Sequence, residues 1–194
     1  MQSIPFNKPC LTGKEAHYMY QAVYTGKLSG NGYFTKKCQN FFMERYGFKK
    51  CLLTTSGTDA LEMCAMLCEL KPGDEVIVPA YTYTATCSVI CHVGATPVMI
   101  DSQTDREEMD YSQMRDAITD KTKAIMPVDI AGILCDYDKI YEIIEEKKDL
   151  FHADNELQEA YGRIIVLADC AHGFGAVKND KKAGSLVQNT FTNL

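Results

Sequence analysis

Thr54-Thr55-Ser56-Gly57-Thr58-Asp59-Ala60-Leu61 is a polar turn between an apolar triplet, Cys51-Leu52-Leu53, and a run over 61–70 whose polar side chains are few beyond Glu62 and Glu69. Together these pieces predict a short buried strand, a tight turn and a buried helix. Ser56 followed three residues later by Asp59 resembles a capping box, with Asp in place of the usual Glu or Gln. Gly57 lets the backbone approach a ligand closely, and the first amides of a helix have no intrahelical acceptor. Such a terminus suits an anion, a phosphate above all. An ordinary capped helix with its donors facing water accounts for the same residues.

Outward from this turn the chain changes character. Downstream, short strands alternate with helices: a strand at Glu75-Val76-Ile77-Val78-Pro79 after the turn Pro72-Gly73-Asp74, a helix over 82–93, and a strand over 96–101. A helix over 110–118, a strand over 124–128, a helix over 137–146 and a strand over 163–169 follow, with 147–162 a polar, acidic surface excursion. Upstream, Ile4-Pro5-Phe6 and Pro9 predict an extended lead-in. A helix over 14–24 follows, with Ala16, Met19, Tyr20 and Val23 on one stripe. The Gly-rich turn Gly26-Lys27-Leu28-Ser29-Gly30-Asn31-Gly32 leads to a helix over 34–46 that Gly47 ends. That turn follows a helix and lacks G-x-G-x-x-G spacing, which counts against a nicotinamide-binding domain. The strands are continuous apolar runs, the mark of strands buried on both faces of a mostly parallel sheet flanked by helices. The fold class is therefore α/β, with no repeat or linker to divide residues 1–194.

Composition narrows the function. Hydrophobic residues at 46% and charged residues at 24% suit a globular chain with a real core. A net charge of -6 without a Lys/Arg cluster argues against nucleic acid. No apolar run approaches the roughly 20 residues needed to span a bilayer, and the N-terminus has no signal-peptide pattern. The nine cysteines form no C-x-x-C pair. Cys64/Cys68 and Cys87/Cys91 are spaced i, i+4, but a metal site would want a histidine or a second pair converging there, and a structural zinc usually shows tighter spacing. Free thiols acting as small buried hydrophobes, in a reducing cytoplasmic setting, fit better.

In an open parallel sheet, ligands collect beyond the carboxyl ends of the strands. Three stretches arrive there: Ser56-Gly57-Thr58, Pro79-Ala80-Tyr81-Thr82-Tyr83 and Asp169-Cys170-Ala171-His172. They offer amides and a hydroxyl for phosphate, an aromatic face, and a carboxylate leaving an apolar strand with an imidazole close behind. Taken singly, Tyr83 reads as packing, Asp169 as a turn cap and His172 as a core histidine. Taken together they describe a grip on a phosphorylated aromatic cation, and pyridoxal phosphate fits.

These residues, with Gly26-Lys27-Leu28, Gly94-Ala95-Thr96-Pro97-Val98 and Ile118-Thr119-Asp120-Lys121-Thr122-Lys123-Ala124-Ile125, make the chain resemble the vitamin B6-dependent aminotransferases of nucleotide-linked keto sugars. Those enzymes have the fold type I, aspartate aminotransferase-like architecture. The stretch from Gly26 to Thr35 is most similar to the branch making dTDP-4-amino-4,6-dideoxygalactose. The resemblance implies that Ser56, Gly57 and Thr58 hold the cofactor phosphate, Tyr83 stacks on the pyridine ring, Asp169 meets the ring nitrogen and His172 lies near the ring hydroxyl. It implies glutamate as amino donor, a nucleotide-linked 4-keto-6-deoxy sugar as acceptor, and a homodimer. It places the Schiff-base lysine beyond Leu194, after a segment resembling Gly184-Ser185-Leu186. Lys178, Lys181 and Lys182 lie upstream of that place. The chain is thus expected to be the N-terminal part of the large, cofactor-binding domain, without the last strands and the small domain, and inactive alone. A sugar dehydratase of the same family, with His for the lysine, and a non-catalytic dimerising remnant are the alternatives.

Overall fold

The computed structural model describes residues 3–5, 8–187 and 191–193, so Phe6 of the predicted lead-in lies outside the described residues. The chain falls into two compact units, Met1–Leu53 and Thr54–Leu194.

In the first unit, helices α1 (Glu15–Tyr24) and α2 (Tyr33–Tyr46) form where the apolar spacing predicts them. The Thr12 amide and hydroxyl both donate to Glu15 Oε1, at 2.6 and 2.9 Å. Those bonds, the backbone one foremost, hold the Glu15 carboxyl down at about 2. Helix α2 ends on Gly47 at φ 74°, a left-handed conformation that a residue without Cβ adopts freely. Tyr18 and Phe34 meet edge-on with centroids 5.5 Å apart. The predicted stripe stays open, however: Met19, Tyr20 and Val23 are exposed. Cys51-Leu52-Leu53 is not a strand either, and Leu52 is 66% exposed. Among the described residues nothing pairs along that triplet, and apolar character alone makes no ladder.

The second unit opens with α3 (Gly57–Leu67) and continues through β1 (Glu75–Pro79), α4 (Thr84–His92), β2 (Thr96–Ile100), α5 (Tyr111–Ala117), β3 (Thr122–Ile125) and α6 (Tyr137–Glu146). After α7 (Glu156–Tyr161) and β4 (Ile165–Asp169) comes a hairpin of β5 (Val177–Lys178) and β6 (Lys181–Lys182), then β7 (Phe191–Asn193). Asn179 and Asp180 turn the hairpin, both with positive φ, as a two-residue type I′ connection requires. Five strands form one parallel sheet in the order β2-β1-β3-β4-β7. The chain leaves β1 toward β2 and then crosses back to β3, so the order reverses between β1 and β3. This is the kind of crevice in which open α/β sheets bind ligands.

Side-chain alternation explains the continuous apolar runs. Val76, Val78, Ala124, Met126, Ile165 and Leu167 pack with Leu61, Cys64, Val89 and Ile90 of α3 and α4. Ile77, Ile125, Val166 and Ala168 face the other way, onto Met114, Ile118, Ile140, Ile143 and Ile144. Both faces are cores, so every position must be apolar. Asp169, one step past Ala168, falls on the α3–α4 side.

The excursion over 147–162 is more ordered than its composition suggests. Asn155 caps α7 by accepting from the Gln158 amide at 2.8 Å, and Gln158 Oε1 accepts from the Asp154 amide at 2.9 Å. Gln158 is fully buried. Lys123 of β3 anchors the segment, with Nζ 3.0 Å from Asp154 Oδ2 and bonded to the His152 carbonyl. All nine cysteines are free thiols. Cys64, Cys68, Cys135 and Cys170 are buried as expected, whereas Cys10, Cys38 and Cys91 are exposed. Among the described residues no helix is long and apolar enough to cross a membrane.

Candidate functional site

At the N-terminus of α3, Ser56 has extended backbone and its Oγ accepts from the Asp59 amide at 3.1 Å. Asp59 does not reach back to the Ser56 amide as a full capping box would. Its carboxylate instead takes the Thr55 hydroxyl, while the Thr54 hydroxyl donates to the Ser56 carbonyl at 2.8 Å. The turn is therefore stiffened from its own side chains. Ser56 and Gly57 lie exposed at the positive end of the helix dipole, with Thr58 half-buried behind them.

The β1–α4 loop ends on Tyr83, the residue preceding α4, whose ring is 75% exposed. Among the described residues it is therefore not packed into the core. Three residues on, Thr86 is fully buried. Its hydroxyl is 3.0 Å from Asp169 Oδ2 and 2.8 Å from the Thr82 hydroxyl.

Asp169 is the last residue of β4 and only 4% exposed. Its amide donates to the Pro127 carbonyl and its carbonyl accepts from the Asp129 amide, both at 2.9 Å. Its Oδ1 accepts from the Ala171 amide at 3.3 Å, so it does cap the turn that follows. It also acts across the fold. Burial pushes the Cys64 thiol of α3 up to about 11, and the charge of Asp169 adds to the effect. The carboxylate therefore stands among the first turn of α4, the body of α3 and the loop 170–172.

His172 is exposed, which excludes the core-histidine reading. Its Nδ1 lies 3.2 Å from the Ala131 amide. An amide can only donate, so Nδ1 accepts and a neutral ring carries its proton on Nε2. The tight turn at Ala131 and Gly132, with φ of 54° and 83°, aims that amide.

Asp129 escaped the sequence reading although it shares the signature of Asp169, an acid at the end of an apolar strand. It is fully buried. Its Oδ1 accepts from the Cys135 amide at 2.9 Å and from the Tyr137 hydroxyl at 3.1 Å, while Oδ2 has no partner. Burial raises its carboxyl above the ordinary aspartate range. A Cβ on Gly173 would stand 3.1 Å from that Oδ2, so the loop carrying His172 rests directly on Asp129. Thr86 escaped as well, because its partner lies 83 residues away. Among the described residues no three His, Cys, Asp or Glu side chains form a metal-binding group. An apolar hollow of about 180 Å³ lined by Tyr20, Tyr24, Tyr33 and Phe34 belongs to the first unit and contains none of the candidate residues.

Residues 9–192 match the DegT/DnrJ/EryC1/StrS aminotransferase family. GDP-perosamine synthase of Escherichia coli O157:H7 is 33% identical over 185 residues, which are 95% of this chain and 47% of that protein. Among solved structures, Spr1654 of Streptococcus pneumoniae, assigned as a sugar aminotransferase and seen in its PMP form, superposes with a TM-score of 0.90 at 43% identity. The match covers 96% of this chain and 47% of that one. GDP-4-keto-6-deoxymannose-3-dehydratase with GDP-perosamine bound gives 0.69 at 29% identity, over 87% and 41% of the two chains. The chain thus spans about half the length of the relatives it matches.

Proposed function

We propose, starting from the fact that this chain belongs to the DegT/DnrJ/EryC1/StrS aminotransferase family, a pyridoxal phosphate-dependent family, that the whole protein transfers an amino group to the keto carbon of a nucleotide-linked deoxysugar. The expected donor is glutamate and the expected acceptor a 4-keto-6-deoxy sugar. These residues fit the cofactor: a capped helix terminus on α3, an exposed ring before α4 and a buried acid at the tip of β4 belong to the α3–α4 side of the sheet. When bound, pyridoxal phosphate supplies a ring that draws electrons from the reacting carbon. Ser56, Gly57 and Thr58 bind its phosphate, Tyr83 covers a ring face, and Asp169 holds the proton on the ring nitrogen. His172 would lie near the ring hydroxyl, with Nδ1 already engaged by the Ala131 amide.

The observation that carries this reading is Asp169, a carboxylate 4% exposed at a strand tip. Burying a charge without partners is costly, and two hydrogen bonds from Thr86 and Ala171 leave acceptor capacity for a cation. The resemblance assigns the Schiff-base role to a lysine that follows a segment like Gly184-Ser185-Leu186, and Lys178, Lys181 and Lys182 of the β5–β6 hairpin lie upstream of that place. The chain on its own is then inactive and forms part of a cytoplasmic homodimer's cofactor domain. In the whole protein, Asp169→Asn should lower amination of a nucleotide-linked 4-keto-6-deoxy sugar by about a hundredfold or more. Undiminished turnover would sink the assignment. The dehydratase reading is the rival, motivated by the 0.69 superposition. Loss of the sugar hydroxyl without incorporation of nitrogen, in the same assay, would favour it.

A further inference from the structure

We infer that the Thr82–Thr86 hydroxyl pair is a positioning device for Asp169, fixing which way its carboxylate faces the ring nitrogen; this rests on the cofactor reading above. Thr86 comes from α4 and Asp169 from β4, so their 3.0 Å contact is tertiary and not a local turn. A carboxylate only accepts, so Thr86 donates to Oδ2. The Thr86 oxygen is then free to accept, and Thr82, 2.8 Å away, becomes its donor. The order of protons is fixed as Thr82 to Thr86 to Asp169. Oδ1 is held separately by the Ala171 amide at 3.3 Å. Two anchors on two oxygens lock the rotation of the carboxylate.

Threonine in a first helical turn ordinarily faces water or bonds its own backbone. Here it is fully buried, and a buried hydroxyl is costly without partners. Valine would fill the same space, so the hydroxyl is present for its bonds and not for packing. Thr86, fully buried, acts through Asp169, and Thr82 acts through Thr86.

The test uses pyridoxamine 5′-phosphate, which cannot form imines with surface lysines, and its 1-deaza analogue, in which carbon replaces the ring nitrogen. The whole protein, freed of cofactor, should bind the first more tightly than the second. Thr86→Val, checked by circular dichroism for its fold, should lose roughly tenfold in affinity for pyridoxamine phosphate. It should lose little for the deaza analogue, and Thr86→Ser should restore the preference. Thr86→Ala replaces the valine variant if that one does not fold. An equal loss for both ligands would reduce Thr86 to a packing residue and overturn the inference, as would a preference that survives the loss of the hydroxyl. Either result leaves the cofactor reading standing. A whole protein that binds neither ligand, or binds both alike, contradicts that reading and this inference together.

Discussion

Gly173 and Asp129 meet with almost no room to spare. A Cβ at position 173 would lie 3.0 Å from Asp129 Cβ and 3.4 Å from that of Ala183. Gly173→Ala should therefore cost on the order of 1–3 kcal/mol in denaturant unfolding, since packed interiors yield poorly to added atoms. Unchanged stability would mean that the loop simply moves aside. Asp129 itself carries a pH signature. Burial raises its carboxyl in the native state above the reference 3.8, and Cys135, Tyr137 and Cys170 are the titratable groups facing it. The native state thus keeps a proton that the unfolded chain has already released. Its contribution to stability is full below about 3.8 and is lost as pH rises through the raised native value. Asp129→Asn, neutral at every pH, escapes that loss, so its stability relative to the native protein should grow as pH rises. One group contributes a slope of at most about 1.4 kcal/mol per pH unit. Parallel stability curves from acid to neutral pH would contradict the assignment.

Caps and alternation decide the elements, and both are written in neighbouring residues. Asp110, accepting from the Ser112 and Gln113 amides, starts α5, and Asp136, accepting from the Lys139 amide, starts α6. The predicted helices over 110–118 and 137–146 fall within a residue of these points. The same logic was available for α7, where Asn155 and Gln158 carry the box spacing and Gly162 closes the helix at φ 60°. The acidic composition of 147–162 concealed it. Asn155→Ala should cost about 1 kcal/mol, measured by urea unfolding, and Asn155→Asp should be tolerated. An alanine variant as stable as the native chain would show that Lys123 and Asp154 hold the segment without the cap. The Cys51-Leu52-Leu53 expectation failed for a different reason, because a strand exists only through a partner that the triplet itself cannot name. Asp169 was legible as an acid closing an apolar run. Thr86 was not, because nothing near position 86 signals a carboxylate brought in by a strand 83 residues on.

The whole chain is two compact units, and the candidate residues all belong to Thr54–Leu194. Within that unit the sheet sets the tip of β4 beside the bridge at Val128 and the α3–α4 layer. Asp169 thereby comes into line with loops that are remote in sequence. Fold class followed directly from continuous apolar runs, since only strands covered on both faces need them. The proposed convergence of three loops on one ligand would be a property of the assembled unit, and it stands or falls on binding. An amide-resolved NMR titration of the chain with pyridoxamine 5′-phosphate measures it. Resonances of Ser56, Gly57 and Thr58, of Tyr83, and of Ala171 and His172 should shift together along one saturation curve. Shifts confined to one of these loops, or centred elsewhere, would contradict a common site.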